Sequence, residues 1–84
     1  MLYRITFKKS VSRDLRKLGK TEAERVLSAL ASQLPGAADD CPELKGKFAG
    51  LRKFRVGDYR VIFAIIGDSV CVTRIGHRRD VYRG

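Results

Sequence analysis

Residues 51–78 read LRKFRVGDYRVIFAIIGDSVCVTRIGHR. Valine, isoleucine, phenylalanine and tyrosine crowd three short runs, LRKFRV, DYRVIFAII and SVCVTRIGHR, and such side chains suit a half-buried pleated surface. Gly57-Asp58 and Gly67-Asp68 separate the runs, and both are short enough for hairpin turns. Three consecutive antiparallel strands are therefore predicted. Alternation in the first sends Lys53 and Arg55 to one side and Phe54 and Val56 to the other. Arg60 opens an otherwise apolar second strand. In the third, Arg74, Gly76 and Arg78 share a side, with Ile75 and His77 opposite.

Upstream, residues 2–7 (LYRITF) alternate as well: Tyr3, Ile5 and Phe7 face one way, Arg4 and Thr6 the other. This is a further half-buried strand. SVSRDLRKLG follows, with Val11, Leu15 and Leu18 at helical spacing and Gly19 as the stop signal. Thr21 and Glu24 form a capping-box pattern ahead of a second stripe, Ala23, Val26, Leu27, Leu30, Ala31 and Leu34. Pro35-Gly36 is expected to end that helix, and residues 35–50 read as a connection. The predicted fold is α+β in the order β-α-α-β-β-β. A helical hairpin packs on one face of a curled, four-stranded, mainly antiparallel sheet and leaves the other face free. Eighty-four residues make one domain, 1–84, burying roughly 60–65% of the unfolded chain's surface.

No apolar run approaches the roughly twenty residues of a membrane span, and the N-terminus lacks a signal-peptide pattern, so a cytoplasmic protein without membrane association is expected. Cys41 and Cys71, with one histidine in the chain, make no ordinary zinc-ligand set and at most one disulfide. Idle thiols are the plainer reading. Charge says more. Eighteen Lys and Arg against nine Asp and Glu give a net of +9, of which residues 45–84 carry +7 and residues 1–44 carry +2. Such an imbalance suits a polyanion, nucleic acid first, with a solvated basic face as the bland alternative. Carboxylates are sparse in the basic half, which speaks against a metal-dependent nuclease.

Antiparallel neighbours could bring Lys53, Arg55, Arg60 and Arg78 to one cleft. Like charges so gathered repel, a cost that a phosphodiester backbone as ligand would offset. Plainer readings stand beside this one. Arg60 could pair with Asp58 or Asp68, Tyr82 could cap the core, and Arg74 and Arg79 could be general electrostatic contacts. Arg52, at an apolar position, could be a snorkelling stem.

GLRKFRVGDYRVIFAI (residues 50–65) followed by RIGHRRDVYR (residues 74–83) resembles the RelE branch of the RelE/ParE toxin superfamily. The helical hairpin and LKGKFAGL also match in order and spacing, so the likeness covers nearly the whole chain. It implies a type II toxin neutralised by a cognate antitoxin, with an assembly such as a toxin–antitoxin heterotetramer on operator DNA. RelE-type members cut messenger RNA in the ribosomal A site without a metal or other cofactor. By the same resemblance Lys53 occupies the place of a catalytic lysine, and Arg60 that of an arginine gripping phosphate. Arg78 matches an arginine near the leaving group, and Tyr82 a C-terminal tyrosine that catalyses or orients substrate. Arg55, Lys45, Lys47, Arg74 and Arg79 would bind RNA phosphates. Two positions depart from prototype RelE, which has lysines where this chain has Arg55 and His77.

Metal-free cleavage by the 2′-hydroxyl needs a base, an acid for the leaving 5′-oxygen and cations for the charged transition state. Arginine carries protons poorly, so acid–base work would fall to Lys53, His77 or Tyr82. His77 is an auxiliary candidate, although alternation sets it opposite Arg78 and favours a structural hydrogen bond. ParE-type members share the fold and the V-G-D-Y-R turn but poison DNA gyrase by binding, and typically lack the lysine and terminal tyrosine. A nucleic-acid-binding relative without activity is the remaining alternative.

Overall fold

The computed structural model describes residues 2–81. Tyr82, Arg83 and the two chain ends lie outside them. In chain order it has β1 (Arg4–Phe7), α1 (Val11–Leu18), α2 (Lys20–Ala37), β2 (Arg52–Val56), β3 (Tyr59–Ile66) and β4 (Ser69–His77). The sheet order is β1-β4-β3-β2. β2, β3 and β4 pair antiparallel, and β1 pairs parallel with β4, Arg4–Phe7 against Ser69–Val72. This is the predicted α+β architecture. Gly57 and Gly67 take positive φ, 58° and 61°, in the two hairpin turns, a conformation glycine adopts without a Cβ penalty.

The helices cover one face. Val26, Leu30 and Leu34 of α2 and Val11 of α1 join Val61, Phe63, Val70, Val72 and Ile75 of the sheet in one buried cluster. Spacing explains the choice on α2, because these three residues recur every four positions and so lie along one side of a helix. Cys41 belongs to this cluster, its thiol pKa pushed up by burial, and neither cysteine forms a disulfide.

Three local expectations are corrected. Thr21 does not cap α2: Gly19, at φ 84°, is the N-cap, and no side chain makes a capping hydrogen bond there. A single residue thus turns the chain from α1 into α2. Pro35-Gly36 does not end α2, which runs on to Ala37. Proline removes a single N–H from a helix already in its last turn, and the Ala38 N–H still reaches the Leu34 carbonyl. Phe7 does not face the core as Tyr3 and Ile5 do, but is 47% exposed where β1 ends.

Arg52 does more than snorkel. Its Nη1 donates to the carbonyls of Cys41 (2.9 Å) and Asp39 (3.2 Å), holding β2 to the segment that leaves α2. From the first strand, the Tyr3 hydroxyl donates to Asp39 Oδ1 at 2.6 Å. That bond, chiefly, raises the Tyr3 pKa above the usual phenol value.

Candidate functional site

Register places the cations. Arg55 lies directly opposite Arg60, and Lys53 opposite Ile62. Since Phe54 and Val56 pack against the core, Lys53, Arg55 and Arg60 must project from the other face. The row continues onto β4, where Arg60 pairs with Gly76 and Ile62 with Arg74. Ile62 is only 3% exposed yet lies apart from the core cluster, flanked across the ladder by the long stems of Lys53 and Arg74.

Lys53, Arg55 and Arg60 line one groove of about 530 Å³ beside β2, with Asp40, Cys41, Pro42 and Phe54. Lys53 and Arg60 are half-buried and Arg55 is exposed. Among the described residues none of the three makes an ion pair. Arg60 therefore does not pair with Asp58 or Asp68. Among the described residues its side chain makes a long 3.5 Å hydrogen bond to the neighbouring Tyr59 carbonyl.

Arg78 sits beyond this groove. β4 ends at His77, so Arg78 lies not on the strand but on the turn that follows, exposed, its N–H donating to the Asp58 carbonyl at 2.9 Å. That contact holds it at the tip of the β2–β3 hairpin. Arg79 is exposed on the same turn. His77 is half-buried on the core side, opposite Tyr59, the two rings edge to face at 6.0 Å. Lys45 and Lys47 are exposed around a short 3₁₀ turn before β2, apart from that groove, and Lys47 Nζ lies 5.2 Å from the Phe48 ring centroid. Tyr82 lies outside the described residues.

Some neighbours were not expected. Arg74 lines a second groove, about 520 Å³, with Lys8, Ser10, Arg13, Asp14 and Thr73. It also lines a smaller pocket, about 320 Å³, with Asp14, Lys17, Tyr59 and His77. Basic surface thus passes from the sheet over the β4 edge onto α1. β1 stops opposite Val72, and beyond it Asp14 Oδ2 accepts from the Ile75 N–H at 3.0 Å, fastening α1 to the uncovered strand. The near-neutral charge of residues 1–44 hides this. Up to residue 19 there are six cations and a single carboxylate, Asp14, and the other acids of that half all come later. A β-bulge between Ile62 and Phe63 also shifts the β4 pattern, so the core positions run Val70, Val72, Ile75, with Thr73 Oγ1 donating to the Ile62 carbonyl. The three-residue step was the available signal. Among the described residues no group of three or more His, Cys, Asp or Glu is placed to hold a metal ion, and no helix is long and apolar enough to cross a membrane.

Residues 5–82 match the sequence family of the ParE toxin of the type II toxin–antitoxin system parDE. No curated protein sequence matches the chain. Among solved structures, the fold is similar to a RelBE toxin–antitoxin complex from Mycobacterium tuberculosis, at 26% identity and TM-score 0.83, covering 93% of this chain and 100% of that one. It is similar to an E. coli RelE mutant bound to a RelB antitoxin peptide, at 25% identity and TM-score 0.70, covering 92% and 84%. A chromosomal ParDE system from P. aeruginosa shares the fold at 15% identity and TM-score 0.65, covering 90% and 96%. The chain belongs to the RelE/ParE superfamily of toxins from type II toxin–antitoxin systems, and its likeness at 25–26% identity is to the RelE branch.

Proposed function

We propose that this toxin cuts messenger RNA in the ribosomal A site, without a metal, and that a cognate antitoxin neutralises it. One observation carries the reading: Lys53, Arg55 and Arg60 share a groove beside β2, two of them half-buried, and the carboxylate that also lines it, Asp40, forms no ion pair with them among the described residues. Cations held so are energetically unfavourable unless an anion completes the site. A phosphodiester fits, because a guanidinium fork meets two phosphate oxygens at once.

The chemistry then runs as follows. A base removes the 2′-hydroxyl proton, the 2′-oxygen attacks the adjacent phosphorus, and the 5′-oxygen leaves with a proton from an acid. The products are a 2′,3′-cyclic phosphate and a free 5′-hydroxyl. Arg60 stabilises the extra negative charge on the phosphate in the transition state, and Lys53 supplies or shares a proton. Arg78, at the tip of the hairpin, is the cation for the leaving side, with Tyr82 assisting by resemblance alone. Arg55, Arg74 and Arg79 bind flanking phosphates, and Lys45 and Lys47 extend the contact.

The test is in vitro translation with primer extension, on and off ribosomes. Cuts confined to ribosome-bound messages support the reading, with ribosome binding that weakens steeply as salt rises. A second reading is favoured by the ParE family match: a toxin that binds DNA gyrase. If the wild type leaves RNA intact but traps gyrase on DNA, that reading replaces the first.

A further inference from the structure

Three consecutive backbone N–H groups converge on one side chain and its carbonyl. The Arg79 N–H donates to His77 Nδ1 at 3.2 Å. The N–H groups of Asp80 and Val81 donate to the His77 carbonyl at 2.8 and 3.0 Å. With Arg78 bound to the Asp58 carbonyl, every N–H from residue 78 to 81 is engaged. The turn then drops Val81, 1% exposed, onto the bare surface of Gly76, where an added methyl would meet Val81 Cβ at 3.6 Å.

We propose that His77 is a positioning residue: as a neutral imidazole protonated on Nε2, it closes the turn that presents Arg78 and Arg79 beside the Lys53–Arg55–Arg60 groove. The functional half of this inference rests on the RNA-cleaving reading, and the structural half does not. An Nδ1 that accepts from Arg79 must keep its lone pair, so the ring proton sits on Nε2. The ring nitrogen takes the N–H two residues on, as an asparagine oxygen does in an Asx turn. Lysine, which prototype RelE carries at this position, has no acceptor and cannot close the turn this way. Adjacent arginines repel and favour an open turn, which gives the acceptor something to resist. The titratable groups lining the same pocket are Asp14 and Lys17 from α1, Tyr59 from β3, Arg74 from β4 and Asp80 from the turn.

The experiment begins on the ¹⁵N-labelled wild-type protein, with neither RNA nor ribosomes. A long-range ¹H–¹⁵N spectrum should show Nδ1 unprotonated and Nε2 protonated at neutral pH. In His77→Ala and His77→Lys the Arg79 amide should exchange roughly three- to tenfold faster than in the wild type, the worth of one net hydrogen bond. His77→Asn should restore slow exchange and, in the ribosome assay, cleavage that the alanine and lysine variants lose. A protonated Nδ1 at neutral pH, or unchanged Arg79 exchange in His77→Ala, overturns the proposal. An asparagine variant that protects the amide yet cleaves no better than alanine also overturns it, since the ring would then act on RNA itself. If the wild type cuts no RNA, the cleavage reading fails while the spectra still decide the turn.

Discussion

The two faces of β2, β3 and β4 use alternate residues of the same backbone ladder and share almost nothing else. Inward, Phe54, Val61, Phe63, Val72 and Ile75 pack against Val26, Leu30 and Leu34, and each fully buried apolar side chain contributes about 1.5–3 kcal/mol. Outward, Lys53, Arg55, Arg60 and Arg74 surround a single buried apolar residue, Ile62. There the directly opposed Arg55–Arg60 pair costs about 0.2–1 kcal/mol relative to neutral residues, if it follows other cross-strand pairs. The inner face accounts for folding. The outer face does not, and under the proposed function its composition answers to an anionic ligand.

That contrast can be broken in several ways. The largest stability effect belongs inside: Phe63→Ala should cost about 3–5 kcal/mol, read by chemical denaturation, and an unfolding midpoint near the wild-type value would deny Phe63 its place in the core. Asp14→Ala comes next. It strips the Ile75 N–H of a charged acceptor and should cost about 1.5–3 kcal/mol, with the exchange of the Ile75 amide accelerated in proportion. A stable variant with unchanged exchange would show that α1 is fastened to β4 by other means. Outside, the sign reverses. Arg55→Thr should leave stability unchanged or raise it by a few tenths of a kcal/mol, visible as a Tm higher by a degree or two, while ribosome binding weakens. A fall of several degrees would mean that the outer cations do support the fold.

The smallest effect is at Tyr3. Its neutral hydroxyl donates to Asp39, which raises its pKa, so the stabilisation is full below the unfolded tyrosine value near 10 and fades as pH rises through the higher folded value. Thermal melts of the wild type and Tyr3→Phe should therefore differ at neutral pH and converge in strong alkali. Curves that stay equally far apart at both pH values would rule out the phenol proton as the cause.

How much of this could be read from residues alone follows from the range of the forces. Alternation and turn chemistry are local, so β2, β3 and β4 and the outward setting of Lys53, Arg55 and Arg60 were legible. The end of α1 at Gly19 was legible as well, but the two ends of α2 were not, because Gly19 also takes the role that Thr21 advertised and Pro35 falls in the last turn, where it removes a single N–H. Arg52 could be seen as misplaced, but its partners at Asp39 and Cys41 come from a distant segment. The basic side of α1 was hidden by averaging its charge with acids that lie elsewhere. Alternation carries Arg78 onto the strand because it has no means of seeing where a ladder stops, and β4 stops at His77.

The central claim is that the outer cations serve chemistry and not folding, and Arg60→Ala tests it most directly. Cleavage rate on programmed ribosomes and thermal stability would be measured on the same preparation. Removing one preorganised cation from a charged transition state should slow cleavage by about two to three powers of ten, while Tm stays level or rises slightly. A variant that melts like the wild type and also cuts at the wild-type rate would contradict the account.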